Sequence, residues 1–434
     1  MFLRHELGVI LATKSLLMDS ILAKGFGQRR KYKAKSYCLG LLVMATTFAN
    51  AQPRVLPPPN LSCDGASSLS EWGSQFRFLP CHTGYNPYEV ILSPATVGNL
   101  VLDWEYPTGG FITSSPTVAN GVVYVGNWYQ NSLYALNAAT GVPLWTYTTG
   151  NIIFSSPAVA NGVVFVGSHD NNLYALNAGT GALLWKYTTG NTVYSSPTVV
   201  GGVVYAGSRD DCLYAFNAGD GVLLWKYTTG AYVDSSPAVA KGVVYVGSQD
   251  GNLYALNAST GALLWKYPTG GAIYTSSPAV VNGVVYIGSF GDNLYALNAS
   301  TGALLWKYTT GGSTAYSSPA VANGVVYVGS WDHNLYALDA GTGALLWQYT
   351  TGDSISSSPA VANGVVYVDS YDGNLYALNA GTGALLWNYT TGDQLYSSPT
   401  VADGVVYVGG NDNNLHAFHL AAPVTKERTT SGRK

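Results

Sequence analysis

The chain of 434 residues is poor in charge: Lys, Arg, Asp and Glu together make up 10% of it. It holds four cysteines and three methionines, and from Phe111 to Leu420 there is no glutamate. Nothing in that span repeats with a helical period. These shortages exclude several classes. Without a basic stripe, nucleic acid is not a partner. No segment outside the leader is apolar for long enough to cross a bilayer. No nucleophile–base pair, phosphate-cradling loop or histidine cluster marks an enzyme centre.

What the chain does have is a rhythm of tryptophan. Trp104, Trp145, Trp185, Trp225, Trp265, Trp306, Trp347 and Trp387 lie 40 or 41 residues apart, the period of a supersecondary unit that stacks on copies of itself. The stretch Leu173–Gly190 (LYALNAGTGALLWKYTTG) is its pattern. Each unit holds four strand-length runs rich in Val, Tyr, Leu or Trp: the run that begins with Ser-Ser-Pro, then GVVYV, LYAL and LLWKYT. Turn dipeptides such as Asn161-Gly162 separate them; Asn and Gly accept the positive φ of a type I′ turn. Four short antiparallel strands, eight times over, predict an all-β, eight-bladed propeller. Runs such as VVYV are apolar on both sides, as a sheet covered on both faces requires. Proline cannot donate to a ladder, so the Ser-Ser-Pro strand is expected innermost, against the central channel. The last unit ends at LHAFHLAAP (Leu415–Pro423) without a tryptophan, whereas LVLDWEYPT (Leu100–Thr108) precedes the first Ser-Ser-Pro. This N-terminal strand is expected to close the last blade.

The third run, turn and fourth run read A-x-N-x-x-T-G-x-x-x-W, as at Ala175, Asn177, Thr180, Gly181 and Trp185. Over residues 100–420 this resembles the docking motif of PQQ-like repeat propellers, the quinoprotein-like superfamily. The family's usual Asp at the third position is here Asn, except at Asp339. The resemblance implies a structural role for the eight tryptophans: each indole packs on the neighbouring blade, and Thr-Gly makes the turn. A large buried side chain of this kind is worth on the order of 2–3 kcal/mol in transfer terms.

Residues 1–51 read as a leader: a basic region with Arg29, Arg30, Lys31, Lys33 and Lys35, a short apolar run, and Ala49-Asn50-Ala51 as the cleavage site. The leader implies an exported product, periplasmic or extracellular and cut near Ala51. Its removal leaves 12 basic and 21 acidic residues. Residues 52–99 are a Pro-rich spacer and a small cap, whose W…FR…HTGYNP pattern resembles the lead-in before PQQ-like repeats. In an exported protein Cys63 and Cys81 are expected to pair; metal ligation by them with His82 lacks the spacing of a known site. Cys212 reads as a lone buried thiol. Residues 421–434 are a polar tail.

Strand parity sends the loops to two ends of the ring. The turns after the first and third strands are nearly invariant. Those after the second strand, and those leading into Ser-Ser-Pro, differ from unit to unit. On that second rim stand Trp128, His169, Arg209, Phe290, Trp331 and Tyr371, together with Tyr194, Tyr316 and Tyr396. They read either as a surface for an extended peptide or glycan or as relaxed surface positions. Asp170, Asp210, Asp250, Asp332, Asp372 and Asp412 in the same loops read as turn residues; each loop has too few carboxylates for calcium, which takes six to eight oxygens.

Three functions fit such a ring. One is a non-catalytic, monomeric scaffold in the cell envelope that holds an envelope or secreted protein. Another is a glycan-binding or adhesion module. The third is a PQQ-dependent dehydrogenase, for which the resemblance implies an adjacent Cys-Cys pair, a calcium held by Glu and Asn, and a catalytic Asp. The propeller has one cysteine, Cys212, and no Glu from Phe111 to Leu420. The expectation is therefore a protein without catalysis, with neither PQQ nor calcium, and with no metal site.

Overall fold

The computed structural model describes residues 75–421. The leader with its cleavage site, the Pro-rich spacer, Cys63 and the tail lie outside the described residues. Eight antiparallel sheets of four strands form the blades, numbered here from residue 117 onward. The first three strands of blade 8 are Thr400–Ala402, Val405–Gly409 and Asn414–Leu420; its outer strand is Leu100–Pro107, antiparallel to Asn414–Leu420. The ring thus closes by pairing the two ends of the propeller, as the sequence predicts. Innermost strands are only three residues long, such as Ala158–Ala160. Ser-Ser-Pro lies just ahead of each rather than within it.

The turns follow from their residues. Asn161 and Gly162 sit at φ 49° and 76°, the paired positive values of a type I′ turn. In the next turn Asn177 Oδ1 accepts from Gly179 N, Thr180 N and Thr180 Oγ1, each at 3.0 Å. Only an acceptor oxygen is used, so Asp339 does the same job with Gly341 and Thr342. A bulge at Leu184 separates the pairs Leu183↔Leu176 and Trp185↔Ala175, which re-aims the following indole. Trp145 Nε1 then donates to Ala178 O of the next blade at 2.9 Å. A Cβ on Gly181, at φ 71°, would meet that indole at 2.7 Å, so Thr-Gly is the seat on which the ring rests. Trp387 is the exception: no such turn follows it, and it donates to Leu100 O at 3.1 Å. Between the blades, Leu173, Ala175 and Phe165 of blade 2 pack on Val204, Tyr214 and Phe216 of blade 3, and this layer recurs around the ring.

The described part of the expected cap, from Gln75, does not stand apart from the ring. It winds round the inside of the channel and caps inner-strand donors in order. Val199 N donates to Gln75 Oε1, Val239 N to Pro80 O, Val280 N to Cys81 O, Val321 N to Thr83 O and Val361 N to Gly84 O. Tyr85–Asn86 adds as a parallel strand to blade 7. Glu89 then accepts from Gly404 N of an invariant-rim turn at 2.9 Å. Cys81 is disulfide-bonded, while Cys212 is buried and free.

Candidate functional site: the channel mouth

Both serines of Ser-Ser-Pro hold the mouth together. The first is a staple within the blade: Ser155 Oγ accepts from Gly167 N at 3.1 Å. The second links blades. Ser115 N donates to Ser156 Oγ, Ser156 N to Ser196 Oγ, and so on round to Ser398 N on Ser115 Oγ. Eight such bonds of 2.9 or 3.0 Å make a closed circle. The triplet was visible in the sequence eight times, but its proline drew the reading and its serines did not.

Above this circle the two variable loops of each blade are tied by a backbone bond, such as His169 N to Ile152 O and Arg209 N to Thr192 O. The nine rim residues therefore share one end of the channel. They do not stand as free platforms: eight are half-buried and only Phe290 is exposed. In one arc Trp128 meets Phe154 edge-on at 4.8 Å, and Phe154 stacks on Tyr194 at 4.7 Å, with His169 against both. Arg209 covers Tyr194 at 4.4 Å and grips Asp234 through Nε at 2.9 Å and Nη2 at 3.0 Å. Gln249 donates to the same carboxylate at 2.7 Å. In the other arc Tyr274, Tyr316 and Trp331 are stacked, and Trp331 Nε1 donates to Ser356 Oγ. Tyr371 lies on Tyr396 at 4.5 Å.

The hydroxyls of Tyr194, Tyr316 and Tyr371 turn inward from different blades. Burial raises the pKa of each. Burial, then Arg209, pushes His169 down to about 4, so it is neutral at pH 7. Its Nε2 is buried without a partner among the described residues, as is Asn411 Oδ1. The aromatic faces open to solvent on this rim are Tyr129 at 56%, Tyr232 at 43% and Phe290 at 40%. Tyr129 and Tyr232 stand one residue beyond the compared position and two residues before it, so a comparison at one register missed them.

The loop aspartates are tied into the fold. Asp170 Oδ2 accepts from Gly150 N at 2.7 Å and Tyr174 Oη at 2.5 Å, and Oδ1 from Asn172 N at 3.0 Å. Asp210, Asp250, Asp332 and Asp372 repeat the pattern. In blade 8 His416 replaces the tyrosine, with Nε2 2.8 Å from Asp412. Among the described residues there is no group of three or more His, Cys, Asp or Glu placed to hold a metal ion.

A family model described as outer membrane protein assembly factor BamB matches residues 95–152, 149–277, 268–355 and 332–422. The chain belongs to this family of PQQ-like repeat propellers. No curated protein sequence matches it. Solved structures place the family's ring beside two kinds of protein. BamB from Moraxella catarrhalis is 20% identical, with 74% of this chain and 97% of that one covered and a TM-score of 0.63. A europium-containing methanol dehydrogenase is 16% identical, covering 80% and 98%, at 0.69. Quinohemoprotein alcohol dehydrogenase from Comamonas testosteroni is 16% identical, covering 86% and 84%, at 0.70. At such identities the likeness is one of fold. No helix among the described residues is long and apolar enough to cross a membrane.

Proposed function

We propose that this protein is a non-catalytic, exported propeller that holds an extended segment of an envelope or secreted protein at the variable rim, acting as a monomer. One observation carries the reading: eight near-identical blades differ chiefly where their loops meet over the channel, and on that rim Tyr129, Tyr232 and Phe290 are exposed, while the lead-in runs along the inner strands behind it. The BamB match supports an assembly or scaffold role. The donor set supports the absence of catalysis. A quinone with calcium needs free carboxylate oxygens beside the channel. Asp234 is held by Arg209 and Gln249. Glu89 spends Oε1 on the N–H groups of Ile91 and Leu92, and Oε2 on Gly404. Asp369 keeps both carboxyl oxygens unpartnered among the described residues, but it is fully buried and belongs to no group of three or more His, Cys, Asp or Glu placed to hold a metal ion, so the residues present do not fit that pair.

A glycan is the second reading, favoured by the open faces of Tyr129, Tyr232 and Phe290. Photo-crosslinking side chains placed at 129, 232 and 290, with Leu264 on the outer wall as control, test both in cells. Adducts with one protein at the three rim positions support the first reading. Each central aromatic should then contribute about 1–2 kcal/mol to rebinding on truncation to alanine. Adducts only at the outer wall sink it. Rim binding to a glycan array without a protein adduct selects the second.

A further inference from the structure

A second candidate lies in the channel interior, independent of the rim. Between the lead-in and the inner strands of blades 7, 8 and 1 lies a cavity with Arg77 and Gln75 on one side and Ser115, Ser358 and Ser398 on the other. Arg77 is 8% exposed. Its Nη1 donates to Pro359 O at 3.0 Å and its Nη2 to Pro319 O; its Nε has no partner among the described residues. Gln75 is 5% exposed. Its Oε1 accepts from Val199 N, and its Nε2 has no partner among the described residues. Among the described residues, no Asp or Glu lines the cavity.

A buried cation is normally matched by an anion, because the desolvation of its charge is otherwise uncompensated. Among the described residues the guanidinium meets only carbonyl oxygens. The chain also spends backbone freedom to bring it there: Arg77 and Phe78 both sit in the left-handed region, at φ 63° and 74°. Gly84 is bare because a Cβ would meet Arg77 Nη2 at 2.3 Å. Ser115, Ser358 and Ser398 Oγ each accept one N–H of the serine circle, which leaves their own O–H groups as further donors. The other walls are apolar: Phe76, Phe78 and the prolines Pro116, Pro359 and Pro399.

We propose that this cavity binds a small carboxylate with an apolar body, its oxygens on Arg77 Nε, Gln75 Nε2 and the serine hydroxyls, its body against the phenylalanine and proline rings. Burial lowers the guanidinium pKa to about 9, so it still carries its charge at pH 7.

Benzoate is the probe, with benzamide as its neutral isostere and chloride at equal ionic strength. On the full secreted chain, benzoate should shift the Arg77 Nε–H resonance and raise the melting temperature with concentration, while the other two do neither. Gln75→Glu keeps the Val199 bond and places a carboxylate inside the cavity. It should raise the melting temperature and weaken benzoate binding about tenfold or more. Arg77→Gln should also abolish the benzoate shift, and Gln75→Glu keeps the test decisive if that variant fails to fold. Equal effects of benzamide or chloride overturn the proposal, as does undiminished benzoate binding by Gln75→Glu.

Discussion

At the end of its second strand, blade 7 carries Asp369 where the other seven blades carry Gly126, Gly167, Gly207, Gly247, Gly288, Gly329 and Gly409. Asp369 is fully buried, and neither carboxyl oxygen has a partner among the described residues. A second departure makes it possible. In blades 1 and 8 the facing residue is β-branched, and a Cβ on the glycine would strike it: one added to Gly126 would stand 2.3 Å from Ile153 Cγ2, and one added to Gly409 2.1 Å from Ile112 Cγ2. Blade 7 has Leu395 at that place, with no branch at Cβ. Burial raises the Asp369 pKa well above its ordinary value, so the folded chain keeps a proton that the unfolded chain releases. That difference is absent below the unfolded pKa near 3.8. It then costs about 1.4 kcal/mol for each pH unit until the folded group ionises too. Asp369→Gly should therefore stabilise the protein at pH 7 by about 1–3 kcal/mol from the unpaired carboxyl alone, less the gap left beside Leu395. Asp369→Gly with Leu395→Ile, which restores the pattern of blades 1 and 8, should gain more. Urea unfolding at pH 4 and pH 7 reads both effects. A gain that is the same at the two pH values, or a loss at pH 7, refutes the argument.

Tyr245 Oη donates to Ala299 O of the next blade, as its equivalents do in five other blades, so Tyr245→Phe should cost about 0.5–1.5 kcal/mol in urea unfolding. Tyr367 has a buried hydroxyl without a partner among the described residues, and Tyr367→Phe should be neutral or stabilising, whereas Phe165→Tyr should gain about 1 kcal/mol by reaching Ala218 O. Gly162 has nothing within 4 Å of a notional Cβ, so alanine there should cost about 1 kcal/mol for its positive φ alone; Gly181→Ala should cost clearly more, because the Trp145 indole must move as well. Deleting residues 52–108 should leave Asn414–Leu420 as an open edge and drive association visible by light scattering; a monomer as heat-stable as the intact protein refutes the closing role.

The blades were legible because their signals recur. Trp, Thr-Gly and Asn-Gly appear at a fixed period, so strand count, docking and closure could be read by comparing the chain with itself. Features that occur once could not. The path of Gln75 to Glu89 through the channel depends on bonds to residues hundreds of positions away, such as Asn86 Nδ2 to Val401 O. Strand parity placed Trp128, Trp331 and Tyr371 at one end, but nothing local says that aromatic side chains turn inward to stack rather than outward to solvent. YVDS at blade 7 stood in plain view, and its meaning required Leu395 as its neighbour in space.

The closing seam has a further consequence. Seven blades carry almost interchangeable third strands, so while the chain folds an N-terminal strand could pair with the wrong one. The strand Leu100–Pro107 differs from the other outer strands at two places: Asp103 stands where blade 2 has Leu184, and Glu105 where it has Lys186. Its true partner differs to match. His419 Nδ1 lies 3.2 Å from Asp103, and His416 Nδ1 lies 3.8 Å from Glu105, where blade 2 offers Asn177 and Tyr174. Like a key cut for one lock in a row of similar doors, the first strand carries an address that only the last strand can read.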